Sequence, residues 1–369
     1  MTPGESLARF RLARTDGVGP ATFRRLLDRH GSADAALAAL PRIAAAAGRG
    51  LAPFPAGAAE REMEDLARLG GSWLHLGGPG YPPLLALLED APPVLAVLGD
   101  ASLLARRQVG LVGARAASAA GRRMAEDLAA GLTAAGLAVT SGLARGVDAS
   151  AHLGALNAHG RTLAVVAGGL DQPYPPENAA LQARIAAEGG AVVAEAPLGT
   201  APLARHFPRR NRIVAGLVLG LVVVEAAPRS GSLITARLAL ESGREVFAVP
   251  GSPLDPRCRG SNDLIRQGAH LVETAEDLLV HLPQGPRELP LFQPRIAPEP
   301  MPVAAEEPPA PSDALAQMLE LIGPTPVAVD DLVRRCHLSA PAVRAMLLDL
   351  EISGSVESLP GNRVVRAAG

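Results

Sequence analysis

Between residues 105 and 250, short, mostly apolar runs alternate with longer stretches whose apolar positions recur every three or four residues. The runs are Val109–Val112, Ala138–Ser141, Thr162–Val166, Ala191–Ala194, Leu221–Glu225 and Glu245–Val249. Each is short and mostly apolar, with valine recurring, the pattern of strands buried on both faces. Helical periodicity covers Ser118–Ala135, Ala149–His159, Glu177–Glu188, Arg210–Leu217 and Ser232–Ser242. Gly136, Gly160, Gly189 and Gly243 stand just past helical stretches, where a left-handed C-cap is wanted. Strand–helix–strand repetition predicts an α/β fold: a Rossmann-like, doubly wound, mostly parallel sheet. Ligands of such sheets bind outside the carboxyl ends of the strands, so the loops after the strands are the candidates.

The flanks differ. In 1–76, "SLARFRLART" and "ATFRRLLDRHG" read as amphipathic helices around "DGVGP". That turn resembles a helix-hairpin-helix, whose backbone N–H groups can bind a DNA phosphate; a plain helical-hairpin turn fits as well. The α/β pattern fills 77–282. Residues 283–312 hold ten prolines and read as an extended linker. In 313–369 a helix over Asp313–Ile322 and a second helix precede a turn at His337–Leu338–Ser339. A third helix follows, and then two strands around Pro360–Gly361–Asn362, the pattern of a winged helix. Acids outnumber arginines seven to five in this module, so protein contact or weak duplex DNA contact is expected above promoter reading.

Composition narrows the chemistry. All 35 basic residues are arginine, against 37 acids, for a net charge of −2. Any cationic site is therefore local and built from forked, planar guanidinium groups, which suit phosphate. Aromatics are only 2% of the chain, so each one is informative. Cys258 and Cys336 form neither a disulfide framework nor a zinc spacing, and no metal or cofactor is expected. No signal-peptide core and no apolar stretch of membrane-spanning length is seen, which points to the cytoplasm.

Four loops follow predicted strands. The first, "GARAAS", offers Gly113 for close backbone approach, Arg115 as a fork and Ser118 as a helix cap. It is not G-x-G-x-x-G, and a chain without lysine has no G-x-x-x-x-G-K-[ST], so P-loop ATP hydrolysis is excluded. The second, "SGLARGVD", offers Gly142, Arg145 and Gly146. Beside it, Asp148 and His152 lie one turn apart, either an acid/base pair or, as preferred here, a loop cap and a packed histidine. The third, "PRSGSLIT", places Ser230, Gly231 and Ser232 at a helix start with Thr235 one turn in, a phosphate nest or a plain serine cap. The fourth, "GLDQPYPPEN", carries Tyr174.

One feature resists a purely structural reading. "RHFPRRNR" sets Arg205, Arg209, Arg210 and Arg212 within eight residues, with Phe207 and Asn211 among them, at the start of the helix Arg210–Leu217. Positive charge at a helix N-terminus opposes the helix dipole. Arginines with an interleaved aromatic are what a single strand of nucleic acid needs, cations for its backbone and a ring for its bases. Phe207 is expected to meet bases, Arg210 and Arg212 to neutralise phosphates with Arg115, and Arg205 and Arg209 to steer.

Taken in order, "VGARAAS", "SGLARGVDASAH", "GGLDQPYPPEN", "FPRRNRIVAGL", "SGSLITARLALESGREVFAVPG" and "GSNDLIRQGAHLV" resemble the DNA-processing protein A family (DprA, also called Smf) over about 80–280. The resemblance implies a non-enzymatic, dimeric recombination mediator with a Rossmann-like core. Such a protein binds and protects incoming single-stranded DNA during natural transformation and loads RecA onto it. It implies a DNA pocket at Gly113, Arg115 and Ser118; Gly142, Arg145 and Gly146; Phe207, Arg210, Asn211 and Arg212; and Ser230, Gly231 and Ser232. Ala114 stands where the family often has a hydroxyl residue, which removes one expected phosphate contact. Two other readings compete with it. Phosphoribohydrolases of a related fold use P-G-G-x-G-T-x-x-E, which is missing here. A winged-helix transcription regulator would want a more basic C-terminal module.

Overall fold

Nine strands build one sheet in the computed structural model: β1 (Gly71–His75), β2 (Val94–Gly99), β3 (Gln108–Val112), β4 (Ala138–Ser141), β5 (Thr162–Val165), β6 (Ala191–Ala194), β7 (Gly220–Val223), β8 (Glu245–Ala248) and β9 (His270–Leu271). The structure describes residues 1–46, 51–284, 312–336, 338–359 and 362–367. Nearly all of the expected linker lies outside these, as do His337 and Pro360–Gly361 of the two expected turns.

The order across the sheet is β1-β2-β6-β5-β4-β3-β7-β8-β9. From β6 through β9 every neighbouring pair is parallel; β2 and β1 add antiparallel strands at one edge. Chain order runs one way from β3 to β6 and then reverses, so β3 and β7 flank the switch point. The six expected strands are β3 to β8, to within two residues at their ends. The edge strands β1 and β9, and β2 beside β1, were not expected.

Helices α1 (Pro3–Arg14), α2 (Pro20–His30), α3 (Ala33–Ala46) and α4 (Ala56–Arg68) precede the sheet. Between and after the strands come α5 (Pro83–Ala86), α6 (Ala119–Ala134), α7 (Val147–Asn157), α8 (Ala179–Ala187), α9 (His206–Leu217), α10 (Gly231–Glu241), α11 (Arg259–Arg266) and α12 (Ala275–His281). Alternate residues of one strand serve opposite layers. Leu221 and Val223 join Ile213 and Val214 of α9 and Ala236 and Ala239 of α10. Val222 and Val224 join Leu128 and Leu132 of α6 and Ala151 of α7. Both faces are covered, which is why β3 to β7 read as mostly apolar runs without strict alternation. Fully burying each such leucine or valine contributes about 1.5–3 kcal/mol.

The chain divides into two compact units, and the division departs from the expected boundaries. Gly57–Gly285, with Met1, forms the sheet unit, so nearly all of α4 belongs with the sheet although it lies before residue 76. The second unit joins Thr2–Ala56 to Pro286–Gly369. Its C-terminal part has α13 (Ser312–Leu321), β10 (Val327–Ala328), α14 (Val329–Cys336), α15 (Ala340–Ile352), β11 (Val356–Leu359) and β12 (Arg363–Arg366). The small sheet runs β10-β12-β11, all antiparallel, as a winged helix requires.

Helix α15 is buried on two faces. Val343, Met346, Leu347 and Leu350 fill the winged module's own core. Leu348 and Ile352 instead join Phe23, Leu26 and Leu37 of the N-terminal helices. A polar latch lies beside this contact: the Thr22 hydroxyl donates to Glu351 Oε2 at 2.7 Å, and Arg25 Nη1 donates to the same oxygen at 3.0 Å. Burial pushes the Glu351 carboxyl up. Among the described residues no helix is long and apolar enough to cross a membrane.

Candidate nucleic-acid interface

The loops after β3, β4 and β5 meet the first turns of α9 at the carboxyl edge of the sheet. They enclose a shallow cavity of about 250 Å³ lined by Arg115, Ala116, Gly142, Ala144, Arg145, Tyr174, Pro175 and Phe207. Arg115 is exposed and its guanidinium carbon lies 5.1 Å from the centre of the Phe207 ring. Tyr174 meets Phe207 edge to face at 5.7 Å, an aromatic contact that adds rigidity to the wall. Tyr174 was visible in the sequence as one of few aromatics, but only the fold places it against Phe207. Ala116, Ala144 and Pro175 carried no signal of their own.

Helix α9 begins at His206, four residues before the expected start at Arg210, so Phe207 and Arg209 also lie within its first turns. Helical spacing then sorts the arginines by face. Arg205 and Arg209 are exposed. Arg210, one turn on from Phe207, points inward and is 6% exposed. Its Nη1 donates to the carbonyl of Val165 at 2.6 Å and to that of Gly142, and its Nε donates to Asn211 Oδ1 at 3.2 Å. Arg212 lies on another face and is 5% exposed. It bonds Glu195 at 2.6 Å and the carbonyl of Asp90, with the Asp90 carboxylate 3.7 Å away. Neither guanidinium therefore lines the cavity, contrary to the expectation that both neutralise phosphates. The reason is burial: a cation taken from water needs fixed acceptors, and internal ones satisfy it.

Arg210 acts on the cavity from beneath. It holds the carbonyl of Gly142, while Asp148 accepts the N–H of Gly142 at 3.2 Å and of Ala144 at 3.3 Å. A Cβ at Gly142 would run into that guanidinium, so only glycine fits there. Gly146 has φ +74° and presses against the carbonyl of Ala114, which ties the second loop to the first. Burial pushes the Asp148 carboxyl up and the Arg210 guanidinium down, each opposed by the other's charge. Asp148 is thus a loop cap, as preferred. His152 is fully buried, and its Nδ1 lies 2.7 Å from Thr162 Oγ1. Because Thr162 donates its hydroxyl to Val139, the imidazole proton sits on Nδ1. Burial lowers the His152 pKa to about 3, so it stays neutral and packed.

Arg145 is exposed and paired with Glu177, so any phosphate must compete with that carboxylate. Gly113 packs under Val147. Ser118 caps α6 but bonds Glu225. Ser230 and Ser232 bond each other at 2.8 Å, and Thr235 donates back to Gly231, all at the start of α10 and none of them lining the cavity. Of the expected site residues the structure thus gathers Arg115, Gly142, Arg145 and Phe207 around one cavity. No cluster of three or more metal-ligating side chains occurs among the described residues.

Comparison with known proteins bears on the family of the chain. A family model described as DNA recombination-mediator protein A matches residues 73–283. Models of a DprA-like N-terminal HHH domain and a DprA winged helix domain match 3–64 and 302–362. Protein Smf of Escherichia coli is 42% identical over 286 residues, covering 77% of this chain and 74% of that protein. DNA processing protein DprA of Streptococcus pneumoniae is 46% identical over 199 residues, covering 54% of this chain and 70% of that protein. The crystal structure of DprA from S. pneumoniae superposes with a TM-score of 0.64 at 35% identity, covering 77% of this chain and 99% of that one. A DprA structure from Helicobacter pylori, described by its single-stranded DNA binding mode, superposes at 0.51 with 28% identity, covering 57% and 94%. With family models matching the sheet unit and both flanking modules, and a relative 42% identical over 77% of the chain, the chain belongs to the DNA recombination-mediator protein A (DprA/Smf) family.

Proposed function

We propose that this chain binds single-stranded DNA at the Phe207 cavity and, as a homodimer, protects incoming strands and passes them to RecA during natural transformation. The observation that carries the strand-binding step is the exposed Arg115 guanidinium set over the Phe207 ring beside the Gly142 loop. A base stacks on the ring, Arg115 meets the adjoining phosphate, and Arg205 and Arg209 draw the strand in. The H. pylori relative, described by its mode of binding single-stranded DNA, supports the same ligand here. The mediator role rests on family membership.

For the winged module we favour protein contact over duplex reading. Its third helix, the one that would enter a groove, is covered along its C-terminal half by the N-terminal helices. Phe207→Ala tests the pocket. Fluorescence anisotropy with a labelled single strand should show a loss of about 1–3 kcal/mol, the worth of one base–aromatic stack. Unchanged affinity would remove the cavity from the interface. RecA filament growth on strands already covered by single-strand-binding protein tests the mediator role, and an absence of acceleration would count against it.

A further inference from the structure

The switch point between β3 and β7 is where a doubly wound sheet opens its crevice, and the helix after the first strand points its N-terminus there. In nucleotide-binding sheets of this kind that helix end takes a phosphate. Here the place is filled from within. Glu225 lies two residues past the end of β7 and is 6% exposed. Its Oε2 accepts the Ser118 backbone N–H at 2.9 Å, and its Oε1 accepts the Ser118 hydroxyl. Ser118 Oγ in turn accepts the Gly121 N–H at 2.9 Å, so cap and carboxylate form one closed set of bonds over the first turn of α6. Gly121 completes the seat. A Cβ there would lie 2.5 Å from the carboxyl carbon of Glu225.

We propose that Glu225 is a specificity-determining residue, an internal anion that stands where a nucleotide phosphate would sit and closes the switch point to nucleotides. One helix end has donors for one anion, and a second negative group a few ångströms away is repelled in this poorly solvated place. The same bonds anchor the far end of the loop that carries Arg115. Anionic ligands are thereby left to the Phe207 cavity.

The test uses Glu225→Ala and Glu225→Ser in the full chain, with inorganic phosphate and ADP as probes. Binding is read by titration calorimetry and thermal melting against sodium chloride of equal ionic strength. Wild type should bind neither probe at this site. Each variant should bind phosphate at least about tenfold more tightly than wild type, a difference of about 1.4 kcal/mol. Adding Ser118→Ala should abolish the gain. The proposal is overturned by a folded variant with wild-type indifference to both probes, or by a gain that survives Ser118→Ala. It is also overturned if both variants stay unfolded with phosphate as well as without it. Strand binding is tested through Phe207 and Arg115, so the two readings fail separately.

Discussion

Arg115 and Arg210 lie on either side of the Gly142 loop, and the salt dependence of strand binding should tell their roles apart. Arg115 is exposed and makes no ion pair among the described residues. If it meets a phosphate, binding releases counterions, and one contact contributes about −0.7 to the slope of log K against log salt for a single strand. Arg115→Ala should flatten the slope by that amount. Between about 50 and 200 mM salt, wild type then loses about 2.6-fold more affinity than the variant. Arg210 is buried and donates to the carbonyls of Gly142 and Val165. Removing it alone would leave Asp148 a buried, uncompensated charge, so Arg210→Met is combined with Asp148→Asn. That double variant frees the Gly142 loop and should weaken binding at every salt concentration with the slope unchanged. Anisotropy titrations over the salt series, on variants shown by circular dichroism to be folded, provide the readout. A slope unmoved by Arg115→Ala, or flattened equally by the Arg210 variant, would refute the assignment of one residue to the phosphate and the other to the loop.

Three further outcomes are expected. Glu177→Gln should free Arg145 and tighten strand binding, more at low salt than at high salt because the pair is exposed, as the same titrations would show. His152, with its folded pKa lowered from 6.5 to about 3, makes the sheet unit acid-sensitive. Its contribution to stability is whole above pH 6.5 and is lost, by about 1.4 kcal/mol per pH unit, as pH falls toward 3. Asp148, whose carboxyl is raised by burial, works in the opposite direction as it takes up its proton. Urea unfolding at a series of pH values should show the net loss, and His152→Gln should flatten it. In the second unit, Arg25→Met leaves Glu351 buried with Thr22 alone and should cost about 3–5 kcal/mol. Adding Glu351→Gln, which still accepts from Thr22, should recover most of that in a thermal melt.

The core of the fold is legible because burial on both faces writes itself as short, mostly apolar runs in which valine recurs. β6, Ala-Val-Val-Ala, agrees with its expected limits at both ends for that reason, and β4 agrees as well although Thr140 and Ser141 end it. β1 and β9 escaped notice because they are edge strands, one broken by polar residues and the other, His270–Leu271, too short to have a period, whereas β2 is an apolar run that precedes the strand–helix alternation and pairs antiparallel. The docking of α15 on α2 was equally hidden. Leu348 and Ile352 look like ordinary helix-core residues, and the partners that bury them are more than 300 positions away in the chain.

The candidate site divides along the same line. Residue type and local spacing alone determined that Arg115, Gly142, Arg145 and Phe207 are suited to a strand of nucleic acid. Those are properties of a guanidinium, a bare backbone and a ring, and they hold wherever the residues lie. Whether a given arginine faces solvent is not such a property. Arg209, Arg210 and Arg212 are near neighbours in one helix, yet one is exposed, one braces a loop and one is paired with carboxylates. The 100° turn per residue of α9, set against a sheet on one side only, made that choice. It is a fact of packing, and only the tertiary structure decided it.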